Sequence, residues 1–422
     1  MLTLLRVPSV GDRVGAIDPP ISQGLAAAAV RAEGLEAQVI DLTYDADAGL
    51  ERLLATLREP GSHVVGMSAY QTNIERCRSI ARTVRAVRPD AHVLLGGPQA
   101  THMPIAGLAE MPEIDALCRG PAEAALPAFL RSLADGDGAY FGFLARREGR
   151  AAEFAPLPGA RAAAPASPFL QALWPLDRYP FVVMFSSRGC PYGCAFCYTP
   201  ASSGRKVSYE PLERVFADVA AVAAAGMRHV FFADPIFIVD RRRTLALVRG
   251  LERFAADGMT FSCELRVEHV DAELLGAMAR ARFVKVAYGL ESANEAVLER
   301  VRKPMRLPEF RATVEATLAH GIAAEVFYMY GLPDETFDDV LRTYEFVASL
   351  PPVVGRLSEP QQMQLYFGTE VLRNSERFGI EILGKRAAYL SPGKSYRTRH
   401  LCPDQFADLE ERWSSMRSVR SA

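Results

Sequence analysis

Arg188-Gly189-Cys190-Pro191-Tyr192-Gly193-Cys194-Ala195-Phe196-Cys197 decides how the rest of the chain is read. It places three of the seven cysteines within eight positions, spaced C-x3-C-x2-C. The apolar run Phe181-Val182-Val183-Met184-Phe185-Ser186 leads directly into it and predicts a strand. Thiolates this close favour a soft metal centre, and iron–sulfur clusters are held by cysteine thiolates at short spacings. A structural zinc ion takes four protein ligands. Here there are three, and the nearest further candidates, His229 and Cys263, each lie more than thirty residues downstream. Three thiolates on a four-iron cluster leave one iron open for a small molecule. The alternative, three buried cysteines packed as small hydrophobes, leaves the spacing after a strand to chance.

Upstream, residues 1 to about 135 alternate short apolar strands with helical patterns. Strands are expected at Leu2–Val7, Ala37–Leu42, His63–Ser68, Ala91–Gly97 and Ile114–Cys118. Helices are expected at Ile21–Glu33, Leu50–Arg58, Ile74–Val87 and Ala122–Leu133. This alternation predicts a doubly wound parallel sheet, whose ligands bind beyond the carboxyl ends of the strands. The candidate loops there are Ser68-Ala69-Tyr70-Gln71-Thr72, Gly96-Gly97-Pro98 and Gly120-Pro121-Ala122-Glu123. A Gly-Gly pair lets backbone approach a flat or phosphorylated ligand. Residues 136–180 are rich in Pro, Gly and Ala and read as a connector, with a hairpin strand expected around Tyr140–Leu144.

Downstream, the alternation resumes over 181–367. Strands are expected at Phe181–Ser186, His229–Phe232, Thr260–Arg266, Val284–Glu291, Ala323–Tyr330 and Gln361–Phe367, with helices between them. Six β/α units predict a partial TIM-type barrel, with functional residues at the C-terminal strand ends. That rule selects Asp234, Glu264, Arg266, Glu291 and Tyr330. Glu264 and Arg266 are also placed to form an ion pair with each other. Asp334 is expected to cap the next helix, Arg241-Arg242-Arg243 to be a solvated face, and Cys263 to be a buried strand residue. Residues 368–422 form a C-terminal extension, with an exposed basic loop at Gly393–Arg399 and a last helix over Asp404–Met416.

Composition narrows the function classes. Of 422 residues, 48 are Lys or Arg and 50 Asp or Glu, so the formal charge is −2 and no basic nucleic-acid footprint stands out. The N-terminus has no signal-peptide pattern, and no run of 18 apolar residues predicts a membrane span. Seven cysteines, an odd number, argue against a disulfide framework. The expected location is a reducing cytoplasm.

The cysteine loop resembles the cluster-binding loop of the radical S-adenosylmethionine (SAM) superfamily, and Gly289-Leu290-Glu291-Ser292 resembles its G-x-E-S segment. The first third resembles the cobalamin-binding domain that precedes many radical SAM domains. The matching pieces are Pro19-Pro20 to Gly24-Leu25, the Ser68 loop, Gly96-Gly97 with Thr101 and Pro104, and Gly120 with Glu123. Taken together, the chain resembles the cobalamin-dependent radical SAM enzymes. The resemblance implies a [4Fe–4S] cluster on Cys190, Cys194 and Cys197, and SAM contacted by Phe196 and Glu291; Asp234 and Glu264, chosen by their place at strand ends, are the further cofactor-binding residues expected in this half. It also implies cobalamin held by Ser68, Tyr70, Gln71, Gly96, Gly97, Gly120 and Glu123; the strand-end residues Tyr330, in a Tyr330–Thr336 loop that resembles one typical of this subgroup, and Arg266 are the expected catalytic residues. The D-x-H-x-x-G motif that brings a lower histidine to cobalt is absent. Gly11-Asp12-Arg13-Val14-Gly15 does not match it, so Tyr70 or Gln71 would face the lower side. The implied activity is methylation of an unactivated carbon through a 5′-deoxyadenosyl radical and methylcobalamin. Ring formation or rearrangement on the same cofactors is the alternative, and a carrier or sensor of cobalamin would not need the cysteines. The expected partners are a small-molecule or peptide substrate and an external electron donor of flavodoxin or ferredoxin type.

Overall fold

The computed structural model describes residues 1–9, 18–135, 143–147, 150–153, 166–351 and 360–420. The Gly11–Gly15 stretch, Tyr140–Gly142 and connector residues such as Pro156, Pro158 and Pro165 lie outside the described residues. The chain divides into two compact units. One comprises Met1–Val183, Ala224–Met227 and Arg386–Ser391; the other comprises Met184–Ala223, Arg228–Lys385 and Pro392–Ala422.

In the first unit the order is β1 (Leu2–Arg6), α1 (Ile21–Ala32), β2 (Ala37–Asp41), α2 (Ala46–Arg58), β3 (Val64–Ser68), α3 (Ile74–Val87), β4 (His92–Gly96), α4 (Gly97–His102), α5 (Ile105–Ala109), β5 (Ala116–Cys118), α6 (Ala122–Ala134), β6 (Phe143–Arg147) and β7 (Arg150–Glu153). The sheet order is β2-β1-β3-β4-β5-β6-β7. Strands β1 to β5 pair in parallel, and β6 and β7 add an antiparallel hairpin at the β5 edge. Leu2, Leu4, Leu5, Val64, Val65, Met67, Val93, Leu94 and Leu95 are all buried. Strands covered on both faces read as continuous apolar runs, which is why they were legible. The hairpin lies inside the stretch read as a connector, and its Phe143 and Ala145 join the core around Phe129. Helix α2 starts a turn before the expected Leu50 because the Asp45 side chain accepts the Ala48 N–H.

In the second unit the order is β8 (Val182–Met184, where the chain passes between the units), β9 (Ser187–Arg188), α7 (Thr199–Ser203), β10 (Ser208–Tyr209), α8 (Leu212–Ala224), β11 (His229–Phe232), α9 (Arg241–Ala256), β12 (Thr260–Leu265), α10 (Ala272–Arg280), β13 (Phe283–Glu291), α11 (Glu295–Arg300), α12 (Leu307–Ala319), β14 (Ala323–Tyr330), α13 (Phe337–Ser349), β15 (Gln361–Gln362), α14 (Glu370–Arg373), β16 (Glu381–Ile382), β17 (Tyr396–Arg397) and α15 (Pro403–Arg420). The six-stranded sheet runs β15-β14-β13-β12-β11-β8, with β11 through β15 parallel. Sheet order follows sequence order, as a partial β/α barrel requires. The expected sixth strand shrinks to two residues. Helix α15 packs Trp413 against Tyr328 and Tyr344, with ring centroids 5.4 and 5.1 Å away. Among the described residues, no helix is long and apolar enough to cross a membrane.

Three expectations are corrected here. Asp334 does not cap α13; Thr336 does, in a capping box with Asp339, while Asp334 pairs with Arg300 and Arg399. Arg241 pairs on the surface with Asp271 and Glu273. Arg243, however, turns inward, donates to the carbonyls of Ser186 and Glu210, and lies 4.8 Å over the Tyr209 ring. In the expected basic loop, Lys394, Arg397 and Arg399 are exposed as expected, but Tyr396 between them is fully buried, its hydroxyl within hydrogen-bond reach of the carbonyls of Gly331 and Met363.

Candidate active site

The cysteine loop follows β9 at the carboxyl end of β8. Gly189 opens it at φ +84°, and a Cβ there would stand 2.0 Å from the Lys206 carbonyl oxygen. Only glycine fits both the backbone angle and the space. Backbone bonds then pin the loop: Ala195 N–H donates to Val301 at 2.8 Å, Val371 N–H donates to Ala195 at 3.0 Å, and Arg205 Nε donates to the Pro191 carbonyl at 3.1 Å. Cys190, Cys194 and Cys197 are free thiols and half-buried. Burial pushes all three thiols up, and each feels another cysteine of the set.

The loop fits a cluster on its donor set. Three free cysteines on one pinned loop are soft ligands, and iron would displace protons that burial otherwise retains. Among the described residues, no three His, Cys, Asp or Glu side chains converge as a single-ion site. A four-iron cluster asks for something different, one thiolate on each of three separate irons.

Side chains from the neighbouring strand ends surround the loop. Arg266, just past β12, points Nη1 at the Cys194 sulfur, 3.8 Å away. Its Nε and Nη2 are taken by Glu268, at 3.2 and 2.5 Å. The guanidinium lies 4.2 Å over the Tyr192 ring, and the Tyr192 hydroxyl meets His269 Nε2 at 2.5 Å. The ion pair expected between Arg266 and Glu264 therefore forms with Glu268 instead. Burial pushes the Glu264 carboxyl up, and Glu325 and Glu291 add to it.

Glu291 closes β13 at φ +65°. The register with β14 slips between Gly289 and Glu291, so Leu290 is bulged out of the ladder. Bulges re-aim side chains at strand ends. Here Glu291 is turned into a buried pair with Lys303, whose Nζ stands 2.5 Å from Oε1 and 2.9 Å from the Gly289 carbonyl. A Cβ on Gly289 would lie 2.5 Å from both the Lys303 nitrogen and the Glu291 oxygen. Both charges of the pair act on Cys194. Lys303, twelve residues past Glu291, carries no motif signal of its own. Its pairing needed the bulge, which leaves no mark in residue spacing.

The remaining candidates in this unit are placed as follows. Asp234 is fully buried and accepts from Ser186 N–H, the Ser186 hydroxyl and Ser187 N–H at 2.7, 2.6 and 2.9 Å. Burial pushes its carboxyl up to about 6. Its oxygens are committed to the backbone that carries the chain into the cysteine loop. Phe196 is half-buried within the loop. Tyr330 is buried against Phe406, and its hydroxyl donates to Glu410 on α15. His229, one of the distant alternative ligands, bonds to Thr260 and Ser262 at 2.9 Å each, and Cys263 is buried as expected.

In the first unit the sheet reverses its winding between β1 and β3, and a crevice opens at such a switch point. A cleft of about 210 Å³ lies there, lined by Arg6, Asp18, Gln23, Ser68 and Tyr70 among others. Tyr70 is exposed and Gln71 half-buried. Gly97 sits at φ +84°, and a Cβ there would be 2.6 Å from Ser68 Oγ and 3.0 Å from the Ala69 carbonyl. The Gly96-Gly97 turn therefore brings the loop after β4 against the loop after β3, and it continues as α4 rather than as an open loop. Gly120, at φ +99°, has open space where a Cβ would go, and Glu123 follows in the first turn of α6. Gly24 is not a ligand-side loop residue. It lies inside α1, where a Cβ would strike the Trp174 ring at 2.0 Å.

Residues 184–347 match the family model described as Radical SAM superfamily, and residues 9–130 match that described as B12 binding domain. An uncharacterized methyltransferase of Pyrococcus horikoshii is 24% identical over 345 residues, covering 80% of this chain and 74% of the relative. The cytidylyl-2-hydroxyethylphosphonate methyltransferase of Streptomyces wedmorensis is 23% identical over 393 residues, covering 78% and 72%. Among solved structures, the radical SAM methyltransferase TsrM of Kitasatospora setae, with cobalamin and a [4Fe–4S] cluster bound, superposes with a TM-score of 0.77 at 19% identity. It covers 98% of this chain and 87% of its own. The same protein with tryptophan substrate and a SAM analogue gives 0.78 at 18% identity, covering 98% and 88%. At these identities the structural likeness is one of fold.

Proposed function

Because the chain belongs to the cobalamin-dependent radical SAM enzymes, carrying a B12 binding domain and a radical SAM domain, we propose that it is a methyltransferase acting on an unactivated carbon of a small molecule. The carrying observation is the pinned three-cysteine loop, with Arg266 directed at the Cys194 sulfur and the buried Glu291–Lys303 pair at the end of β13. Relatives named as methyltransferases support the transferred group, and the tryptophan-bound neighbour supports a small-molecule substrate.

The cofactors are a [4Fe–4S] cluster, SAM and cobalamin; when bound, they supply a carbon-centred radical that removes hydrogen and a methyl group that can be transferred. Cys190, Cys194 and Cys197 hold the cluster. Glu291 accepts hydrogen bonds from SAM hydroxyl or ammonium groups through the carboxylate that Lys303 orients, and Phe196 offers an aromatic face. Glu264 adds a carboxylate at the same strand ends. Asp234 works through the backbone of Ser186 and Ser187. Ser68, Tyr70, Gln71, Gly96, Gly97, Gly120 and Glu123 hold cobalamin at the carboxyl ends of β3, β4 and β5. Burial and Glu410 push the Tyr330 hydroxyl up, so Tyr330 serves as a hydrogen-bond donor rather than a base.

The test is anaerobic turnover of reconstituted protein with cobalamin and methyl-deuterated SAM against a metabolite extract. Label in a product, together with deoxyadenosine and S-adenosylhomocysteine, is the expected result. Deoxyadenosine without label transfer would replace methylation with rearrangement.

A further inference from the structure

Residues Arg386–Ser391, far from the first unit in sequence, belong to it in space. The segment is held by directed polar contacts. The Ser391 hydroxyl donates to Gln71 Oε1, on the loop after β3. The Tyr389 carbonyl accepts from Gln99 Nε2 of α4 at 2.7 Å, in a buried contact. The Tyr389 hydroxyl donates to Glu75 at 2.7 Å, and its ring lies 4.5 Å under the Arg78 guanidinium. Ala388 N–H donates to Glu110 at 2.7 Å. Ser391 is fully buried and Gln99 nearly so, at 3% exposed.

Two of these contacts, at Gln71 and Gln99, reach the segments that follow β3 and β4, while those to Glu75, Arg78 and Glu110 fall on α3 and at the end of α5. Gln99 N–H in turn donates to the Ala69 carbonyl at 3.1 Å, and Ala69 N–H to the Gly96 carbonyl at 2.8 Å. The Tyr389 backbone, Gln99, Ala69 and Gly96 thus form one continuous chain of bonds. Ser391 holds the second side of the same loop through Gln71. Buried polar groups joined in this way fix geometry, because each lost partner leaves another group unsatisfied. A segment that merely covered apolar surface would need none of this.

We propose that Arg386–Ser391 is a strap that sets the shape of the cobalamin site, with Ser391 positioning Gln71 and Tyr389 positioning α4 through Gln99. This rests on the reading that the loops after β3 and β4 hold cobalamin. Ser391 and Tyr389 are positioning residues, acting through Gln71 and Gln99 rather than touching the ligand.

The experiment compares full-length wild type with Ser391→Ala and Tyr389→Phe in two measurements. Amide hydrogen exchange is followed on cobalamin-free protein, and hydroxocobalamin binding is titrated by absorbance. Loss of one hydrogen bond corresponds to a change of about three- to tenfold. Ser391→Ala is expected to speed exchange across Ala69–Asn73 and Gly97–Thr101 by about that factor. It should raise the Kd for cobalamin similarly and leave iron content unchanged. Tyr389→Phe, which keeps the ring on Arg78 and loses only the Glu75 bond, is expected to do less. Unchanged exchange in both loops overturns the strap. Faster exchange with an unchanged Kd overturns its link to cobalamin. Wild type that binds no cobalamin overturns the assignment of the domain, while the exchange data still decide the strap.

Discussion

Replacing Lys303 with methionine tests whether the Glu291–Lys303 pair organises the site. The two side chains are only 10% and 9% exposed, and Lys303 also serves the Gly289 carbonyl. Methionine keeps most of the volume but leaves a carboxylate and a carbonyl without their shared donor. Breaking a buried pair by removing one partner costs about 3–5 kcal/mol. The half-open cysteine loop nearby lets water relax part of this, which places the expected cost near 3 kcal/mol. For a unit of this size that is a fall of roughly 6–12 °C in Tm. Adding Glu291→Gln removes the stranded charge and should bring the double variant back to within about 1.5 kcal/mol of wild type. Glu291→Gln alone keeps an acceptor for Lys303 and is expected to cost about 1.5 kcal/mol, so the double-mutant cycle yields a coupling of about 3 kcal/mol. The assay is unfolding of cluster-free protein under reducing conditions, followed through Trp413, which packs on Tyr328 and Tyr344 in this unit. A cost under about 0.5 kcal/mol for the single variant, or a double variant as unstable as the single, would refute the reasoning.

Arg266→Met removes a positive charge and a hydrogen-bond donor from the Cys194 sulfur. The cluster potential should move negative by roughly 50 mV in an electron paramagnetic resonance titration, part of the charge effect being cancelled already by Glu268. Asp234→Ala strips the acceptor from three groups at Ser186 and Ser187, and unfolding should show a loss of about 3 kcal/mol together with lower iron content after reconstitution. Glu335, fully buried between Ser292 and Leu332, has its carboxyl pushed up to about 8 by burial. Its folded value lies above the ordinary one of 4.5, so its contribution is fully present below pH 4.5 and is lost as pH rises through 8. Glu335→Gln should flatten the decline in stability over that window, and an unchanged slope would show that the carboxyl is ionised in the fold. Cys194→Ala should abolish the iron–sulfur absorbance of reconstituted protein while cobalamin binding persists.

The first unit's strands were legible because burial on both faces makes them unbroken apolar runs, and in the second unit the strand ends pointed to Glu264, Arg266, Glu291 and Tyr330. What spacing could not show was direction. Arg266 was read as a partner for Glu264, two residues away on the same strand. Residues two apart on an extended strand do share a face. The chain leaves the strand after Leu265, however, and the short turn Val267–His269 brings Glu268 round to the guanidinium instead. Helices α4 and α5, of six and five residues, are too short for a periodic pattern to register. The Gly96-Gly97 turn therefore read as an open loop.

The deeper limit concerns contacts that close over long sequence separations. The three-cysteine loop announces itself because its ligands are seven residues apart at most. Lys303 and Glu291 meet across twelve residues only because Leu290 leaves the ladder, and Ser391 reaches Gln71 across 320. Neither partner is an unusual residue type, so neither raises a local signal. These are also the contacts that fix how the expected ligand-holding residues stand. The motif residues can name a chemistry from sequence alone; the geometry on which that chemistry depends rests on ordinary residues whose roles emerge only when the chain is folded.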